Sequence, residues 1–249
     1  MFYKLYKNGE INSYDMFKIL AFLLMFLDHL GFYVFQISWF RAIGRLSFPI
    51  FAILHGISFK STSSRLNLLI YGALTAISSF LILRLSIFPL NILFVFFIFD
   101  MIFDEVSKLY YDNVLVGIVL LLVCVVFGNM FSYGLEYGIF ALLFMIVGKN
   151  FSKIGTNVVD ILFSLATFIS YVVMQSLRFE LTKWQIVFFA CGMIFIYLKM
   201  CRFKIREYYH LKSNKILLFI SRYSLELYFI HILILSLICR FMILNDISF

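Results

Sequence analysis

Asp28 and His29 stand side by side in an apolar run, and between Met16 and Ile37 the only other charged side chain is Lys18. Ionisable groups in so oily a stretch cost at least a few kcal/mol each when they sit at mid-membrane depth. They are kept where they face a bundle interior or a wet cavity. A carboxylate in such a place pairs with a cation. A histidine there suits proton transfer, because small changes of environment move its titration across neutral pH. Other ionisable side chains within apolar stretches include Arg41, Arg45, His55, Glu136 and His231.

Helical spacing organises this set. Arg41, Arg45, Phe48, Ala52 and His55 follow one another at steps of four and three, which is one face of a helix. Pro49 lies among them. It has no N–H to give the carbonyl of Arg45, so the chain is expected to kink there and open room beside the guanidinium. Ser221, Ser224, Tyr228 and His231 share a face by steps of three, four and three, in a segment otherwise made mostly of Leu, Ile and Phe. Such a polar stripe on a lipid-compatible helix points inward. Arg45 reads either as a static counter-ion of Asp28 or as a donor to a developing negative charge. His55 reads as structural, and Glu136 with Tyr137 lies close to a membrane face. His29 and His231, both mid-span, read as proton-handling groups.

The elements that must position these groups follow from composition. Of 249 residues 63% are hydrophobic and 14% charged, with 33 Phe and 15 Tyr, against about 25% charged in a soluble domain. An all-α polytopic membrane bundle is the expected class, since lipid-exposed backbone must satisfy its own hydrogen bonds and no barrel-like alternation is present. About nine spans are predicted, within a range of eight to ten. They lie near 16–37, 40–59, 66–83, 86–103, 113–131, 134–148, 157–176, 184–199 and 216–241. The whole of 1–249 reads as one integral-membrane domain, whose first apolar run lacks a cleavage site and so reads as a retained helix. Lys4, Lys7, Lys60, Arg65, Lys108, Lys149, Lys153 and the basic segment 199–215 fall on one side, leaving Arg41, Arg84, Arg178 and Lys183 on the other. The positive-inside rule then puts the N-terminus in the cytoplasm and the chain in the cell's inner membrane. The net charge of +8 reports this orientation, and no nucleic-acid partner is expected. The cysteines (Cys124, Cys191, Cys201, Cys239) are scattered and have no metal-ligand spacing, so no metal site is expected.

Two stretches, "MFKILAFLLMFLDHLG" (16–31) and "WFRAIGRLSFPIFAILHGISF" (39–59), resemble the opening spans of the TraX family. Their pattern is a Lys-containing helix ending in Asp-His, then Arg-x-x-Gly-Arg-x-x-Phe-Pro. "NILF" (91–94), "EYGIF" (136–140) and "SRYSLELYFIHILIL" (221–235) are similar to later segments of that family, with Glu136 in place of the usual Asp. TraX proteins are associated with N-terminal acetylation of pilin subunits, and they resemble, more distantly, the multi-span acyltransferase-3 superfamily. Lys18, Ala21 and His29 reproduce that superfamily's opening register, whose histidine is regarded as essential to transfer.

The resemblance implies acetyl transfer from acetyl-CoA to a free amine of a peptide or protein. His29 is the expected base and Asp28 its organiser. His231 is a second acid/base, and Arg45 or Tyr228 is the donor to the oxyanion. Arg41, Arg65, Ser224 and Tyr228 are candidates for holding the acyl donor. An O-acetyltransferase acting on a sugar or lipid-linked hydroxyl is the nearest alternative. A proton-coupled transporter using Asp28, His29, Glu136 and His231 as a relay, and a passive membrane scaffold, are the alternatives from other classes.

Overall fold

The computed structural model describes residues 11–59, 65–84, 90–113, 115–123, 136–153, 157–203, 208–209 and 215–245. Lys4, Lys7, Lys60, Cys124 and most of the basic segment 199–215 lie outside them. The described residues form ten helices: α1 (Ser13–Tyr33), α2 (Ser38–Gly44), α3 (Ser47–Ser58), α4 (Arg65–Leu83), α5 (Ile92–Asp112), α6 (Phe140–Phe151), α7 (Val158–Arg178), α8 (Lys183–Cys201), α9 (Lys215–Arg222) and α10 (Ser224–Leu244). Residues 115–123 are helical as well.

Six stretches among the described residues are long and apolar enough to cross a membrane: α1, α2 with α3, α4, α7, α8 and α10. Their outward sides carry the residues that lipid accepts; Leu81, Val158 and Trp184 are each at least 70% exposed. The expected all-α membrane bundle is therefore what forms. The expected nine spans divide differently. The span predicted at 86–103 is a helix at Ile92–Asp112, too rich in Asp, Glu and Lys to qualify. Its buried side is a stripe at helical spacing: Leu93, Phe96, Asp100, Phe103, Ser107 and Tyr110. The span predicted at 134–148 is the 12-residue α6, which is buried from Phe140 to Gly148. Only residues 115–123 of the span predicted at 113–131 are described.

Both ends of α1 are fixed by named groups. Asn12 and Asp15 form a capping box, each side chain taking the other's backbone N–H, which satisfies donors the first turn leaves over. The hydroxyl of Ser221 donates to the same Asp15 carboxylate (2.5 Å), so the junction of α9 and α10 is tied to this end. Ile11–Asn12 pairs antiparallel with Tyr208–Tyr209. That pairing brings the described middle of the basic segment beside the start of α1.

The second predicted span breaks at Arg45–Leu46, four residues ahead of Pro49, as the proline's missing N–H requires. The freed carbonyl of Arg45 accepts the hydroxyl of Tyr171 in α7 (3.1 Å). Past the break, α3 packs against α6 with backbones nearly touching. A Cβ on Gly56 would lie 2.0 Å from the carbonyl oxygen of Met145, and one on Gly148 would lie 2.2 Å from that of Ile53. Small residues at helix crossings allow this approach in membrane bundles. Gly56→Leu is therefore expected to destabilise by overpacking, about 1–3 kcal/mol or more, lowering the melting temperature of the detergent-solubilised protein. Gly72→Ala, whose Cβ would meet Phe94 at 3.3 Å, should lower it far less.

Candidate functional site

A cavity with about 1120 Å³ of empty space, its open mouth included, runs between α1, α3, α5 and α10. One end is walled by Tyr14, Lys18, His55 and Ser58, the other by Asp28, His29, Glu136, Tyr137 and Tyr228. Tyr14 and His29 are fifteen residues apart in α1, about 22 Å of helix axis. The eleven-residue step from Lys18 to His29 returns to the same helix face, and both line this cavity. Most of the remaining wall is Phe, Leu, Ile and Met.

At the deep end the predicted partnership of α1 with the last span is direct. His29 Nδ1 lies 2.8 Å from His231 Nε2, and His231 Nδ1 lies 2.8 Å from the carbonyl oxygen of Leu227. A carbonyl can only accept, so His231 carries its proton on Nδ1 and, with both rings neutral, its Nε2 accepts from His29. His29 is then protonated on Nδ1. Its Nε2 is left as a bare lone pair on a residue that lines the cavity. The arrangement is a base, an orienting imidazole and a backbone anchor in series. Tyr228 packs edge-on to both rings, with centroids 6.0 and 5.5 Å away.

Asp28 is a quarter-turn around the helix from His29 and serves other partners. Its Oδ1 is 3.1 Å from Arg41 Nη1 and 3.6 Å from Arg45 Nε. A Cβ on Gly44 would lie 2.4 Å from the Cβ of Asp28, so only glycine lets α2 come close enough for both pairings. Arg45 is 7% exposed. Its Nη1 donates to the hydroxyl of Tyr137 (2.6 Å) and lies 3.9 Å from Glu136 Oε1, and its guanidinium lies over Phe179. Arg45 thus stands behind the cavity wall. The expectation that it faces a substrate oxyanion gives way to Tyr137 and Tyr228, the hydroxyl-bearing groups that line the cavity there.

Two weak motifs acquire a shared reason. Asn91 caps α5, accepting from the N–H groups of Leu93 and Phe94 and donating to the carbonyl of Gly72. Glu136 accepts from the N–H of Ile92 (3.1 Å) and donates its own N–H to the carbonyl of Leu90 (2.9 Å). Asn-x-x-Phe and Glu-Tyr-Gly are the two halves of one joint, which presents Tyr137 to Arg45. Tyr137 is held at φ 62° and stacks flat on Phe48 at 3.9 Å. A non-glycine residue in that conformation is strained and persists where its surroundings enforce it.

The other predicted residues divide. Ser224 lines the cavity beside Leu225 and Tyr228, near Lys18. Arg65 begins α4 and is absent from the cavity wall. Arg41 lines a separate cavity at the Tyr33 end of α1, so these two candidates for holding the donor lie at opposite ends of the bundle. One pair escaped the sequence reading. His55 Nε2 is 2.7 Å from Asp100 Oδ1, and His55 lines the main cavity. The stripe of Phe96, Asp100, Phe103 and Ser107 was the available signal.

Asp28→Asn leaves Arg41 and Arg45 facing each other without their shared anion. Removing one partner of a buried pair costs about 3–5 kcal/mol, to be read as a lowered thermal midpoint in detergent. Tyr137→Phe, which removes one acceptor of Arg45, should cost about 1–3 kcal/mol in the same measurement.

Neither a curated protein nor a solved structure matches the chain. The family model described as TraX protein matches residues 13–239. That stretch runs from the capped start of α1 through His231 and takes in every residue of the deep site. The chain belongs to the TraX family.

Proposed function

We propose that the protein is a membrane-embedded acetyltransferase that moves the acetyl group of acetyl-CoA to a free amine, in keeping with the association of TraX proteins with pilin N-terminal acetylation. The observation that carries this reading is the series His29, His231, Leu227, which leaves a bare imidazole nitrogen on a residue that lines the long cavity. With the positive-inside orientation, the Tyr14–Ser58 mouth opens to the cytoplasm, and the bilayer is the inner membrane. The described middle of the basic segment is beside that mouth, with Arg206 and Lys212 close in sequence. The cation Lys18, which lines that end of the cavity, suits a donor whose bulk is phosphorylated and whose reactive end is a slender thioester arm.

The chemistry at the deep end is the following. The amine nitrogen attacks the thioester carbonyl carbon, forming a C–N bond, while its proton passes to Nε2 of His29. The imidazolium so formed is stabilised by its hydrogen bond to His231. Negative charge on the carbonyl oxygen is met by the hydroxyl of Tyr228 or Tyr137, the latter polarised by Arg45. The C–S bond then breaks and the thiolate takes the proton from His29, leaving an N-acetyl group and free coenzyme A. The surrounding Phe and Leu side chains exclude water, which would compete for the thioester.

His29→Ala is expected to lower transfer of labelled acetyl to an amine-bearing peptide by 10²–10⁴-fold, the usual share of a positioned base (on the order of these values). His231→Ala should cause a smaller loss, because it removes orientation and leaves the base. Equal transfer by wild type and His29→Ala would overturn the assignment.

A further inference from the structure

A second cavity, with about 1140 Å³ of empty space, lies at the opposite end of the bundle. The two cavities divide the same helices between them. On α1 the first uses residues from Tyr14 to His29 and the second Gly31, Phe32 and Tyr33; on α4 the first uses Leu68 and the second Leu83. On α10 the first uses Ser224 to Tyr228 and the second Cys239 and Ile243. What separates them is thin. Asp28, in the wall of the first, pairs at 3.1 Å with Arg41, in the wall of the second. The ring of His29 in the first packs against that of Tyr33 in the second, centroids 6.2 Å apart.

We propose that the second cavity is the acceptor's binding site, and that the Asp28–Arg41 ion pair is a movable partition between it and the donor cavity, so that acetyl passes to an acceptor on the other side of the membrane. This rests on the acetyltransferase reading and adds to it the side of entry and the chemistry of the acceptor.

Three observations support it. First, the partition can open without stranding a charge: when Arg41 swings away, Asp28 keeps Arg45, which is held in place by Tyr137. An unpaired buried carboxylate would forbid the motion. Second, the rim is built from strained backbone. Gln36, Arg84 and Glu180 have φ of 50°, 55° and 47°. Gln36 lines the cavity, and the other two adjoin the lining residues Leu83, Phe179 and Leu181. Strain of this kind gathers at binding sites. Third, the wall matches an apolar chain with a polar end. Phe32, Phe179, Leu181 and Ile243 surround Arg41, whose guanidinium lies over Phe32 (4.8 Å) and Phe179 (5.3 Å). Beside the Arg41 guanidinium an ammonium is disfavoured, which promotes the neutral amine that must attack.

The test uses proteoliposomes of one orientation, with labelled acetyl-CoA on the Ser13 face and an Ala/Val/Leu peptide bearing a free amino terminus on the Tyr33 face. The expected result is label on the peptide across the membrane and none on peptide supplied with the donor. Label only when donor and peptide share a face would overturn the proposal. Cys239, which lines the second cavity, gives a readout independent of catalysis in a chain whose other cysteines are replaced by Ser. An impermeant maleimide should modify it from the Tyr33 face. Peptide at about ten times its dissociation constant should slow that modification about tenfold, and acetyl-CoA should not. Modification that is indifferent to peptide strikes at the acceptor cavity, whereas absence of any transfer in detergent strikes at the acetyltransferase reading. Arg41→Gln should increase release of coenzyme A without acceptor, as water enters through the partition. A merely structural loss would lower release with and without acceptor alike.

Discussion

The buried carboxylate of Asp28 is the constraint on which the rest of this bundle depends. Alone among Leu and Phe it would be an uncompensated buried charge, so two arginines must come to it, one from α2 and one from the residue that caps it. That requirement explains the glycine at position 44, where any larger residue would push α2 off α1. It also explains the break at Arg45–Leu46, because a straight helix through Pro49 would leave the carbonyl of Arg45 unused. Tyr171 takes that carbonyl and Tyr137 takes the guanidinium. One anion on α1 thereby organises α2, α7 and the turn before α6.

A second constraint is steric. The α3–α6 crossing brings backbone against backbone at Gly56 and Gly148, and the core around it is dense with aromatic rings. Phe48 stacks on Tyr137, while Phe144 and Tyr171 meet edge to face. This rigid block holds one side of the main cavity. The opposite side is formed by α1 and α10, which are joined by polar ties at Asp15–Ser221 and His29–His231. The main cavity thus lies between a packed wall and a hydrogen-bonded one, and His29 belongs to the hydrogen-bonded wall.

Much of this was legible in the sequence because charge in oil is conspicuous. The pairing of Asp28 with Arg45, the inward stripe ending in His231 and the break at Pro49 all follow from cost and helical spacing. Arg41 was harder: it reads as an outer-side charge and a candidate for holding the acyl donor, yet it makes the shorter contact with Asp28. Asp100 lies inside the predicted span 86–103, but its partner His55 is on another helix 45 residues away, and the amphipathic stripe that turns Asp100 inward continues to Tyr110, beyond that span. The tie between Asn91 and Glu136 could not be read at all. It joins residues 45 positions apart through backbone groups, which carry no side-chain signature.

The adjacency of Asp28 and His29 then has a geometric explanation. Neighbours on a helix point about 100° apart, so two consecutive side chains can address two different helices at one depth. Asp28 turns to the arginines of α2 and His29 to the histidine of α10. The proposed transfer between the two cavities would use a base and a charged divider at the same level, since the nucleophile would lose its proton where it crosses from one to the other. Separated by three or four residues, the two would share a face and compete for the same partner. Side by side, they hold the divider and the base apart while keeping them on one turn of helix.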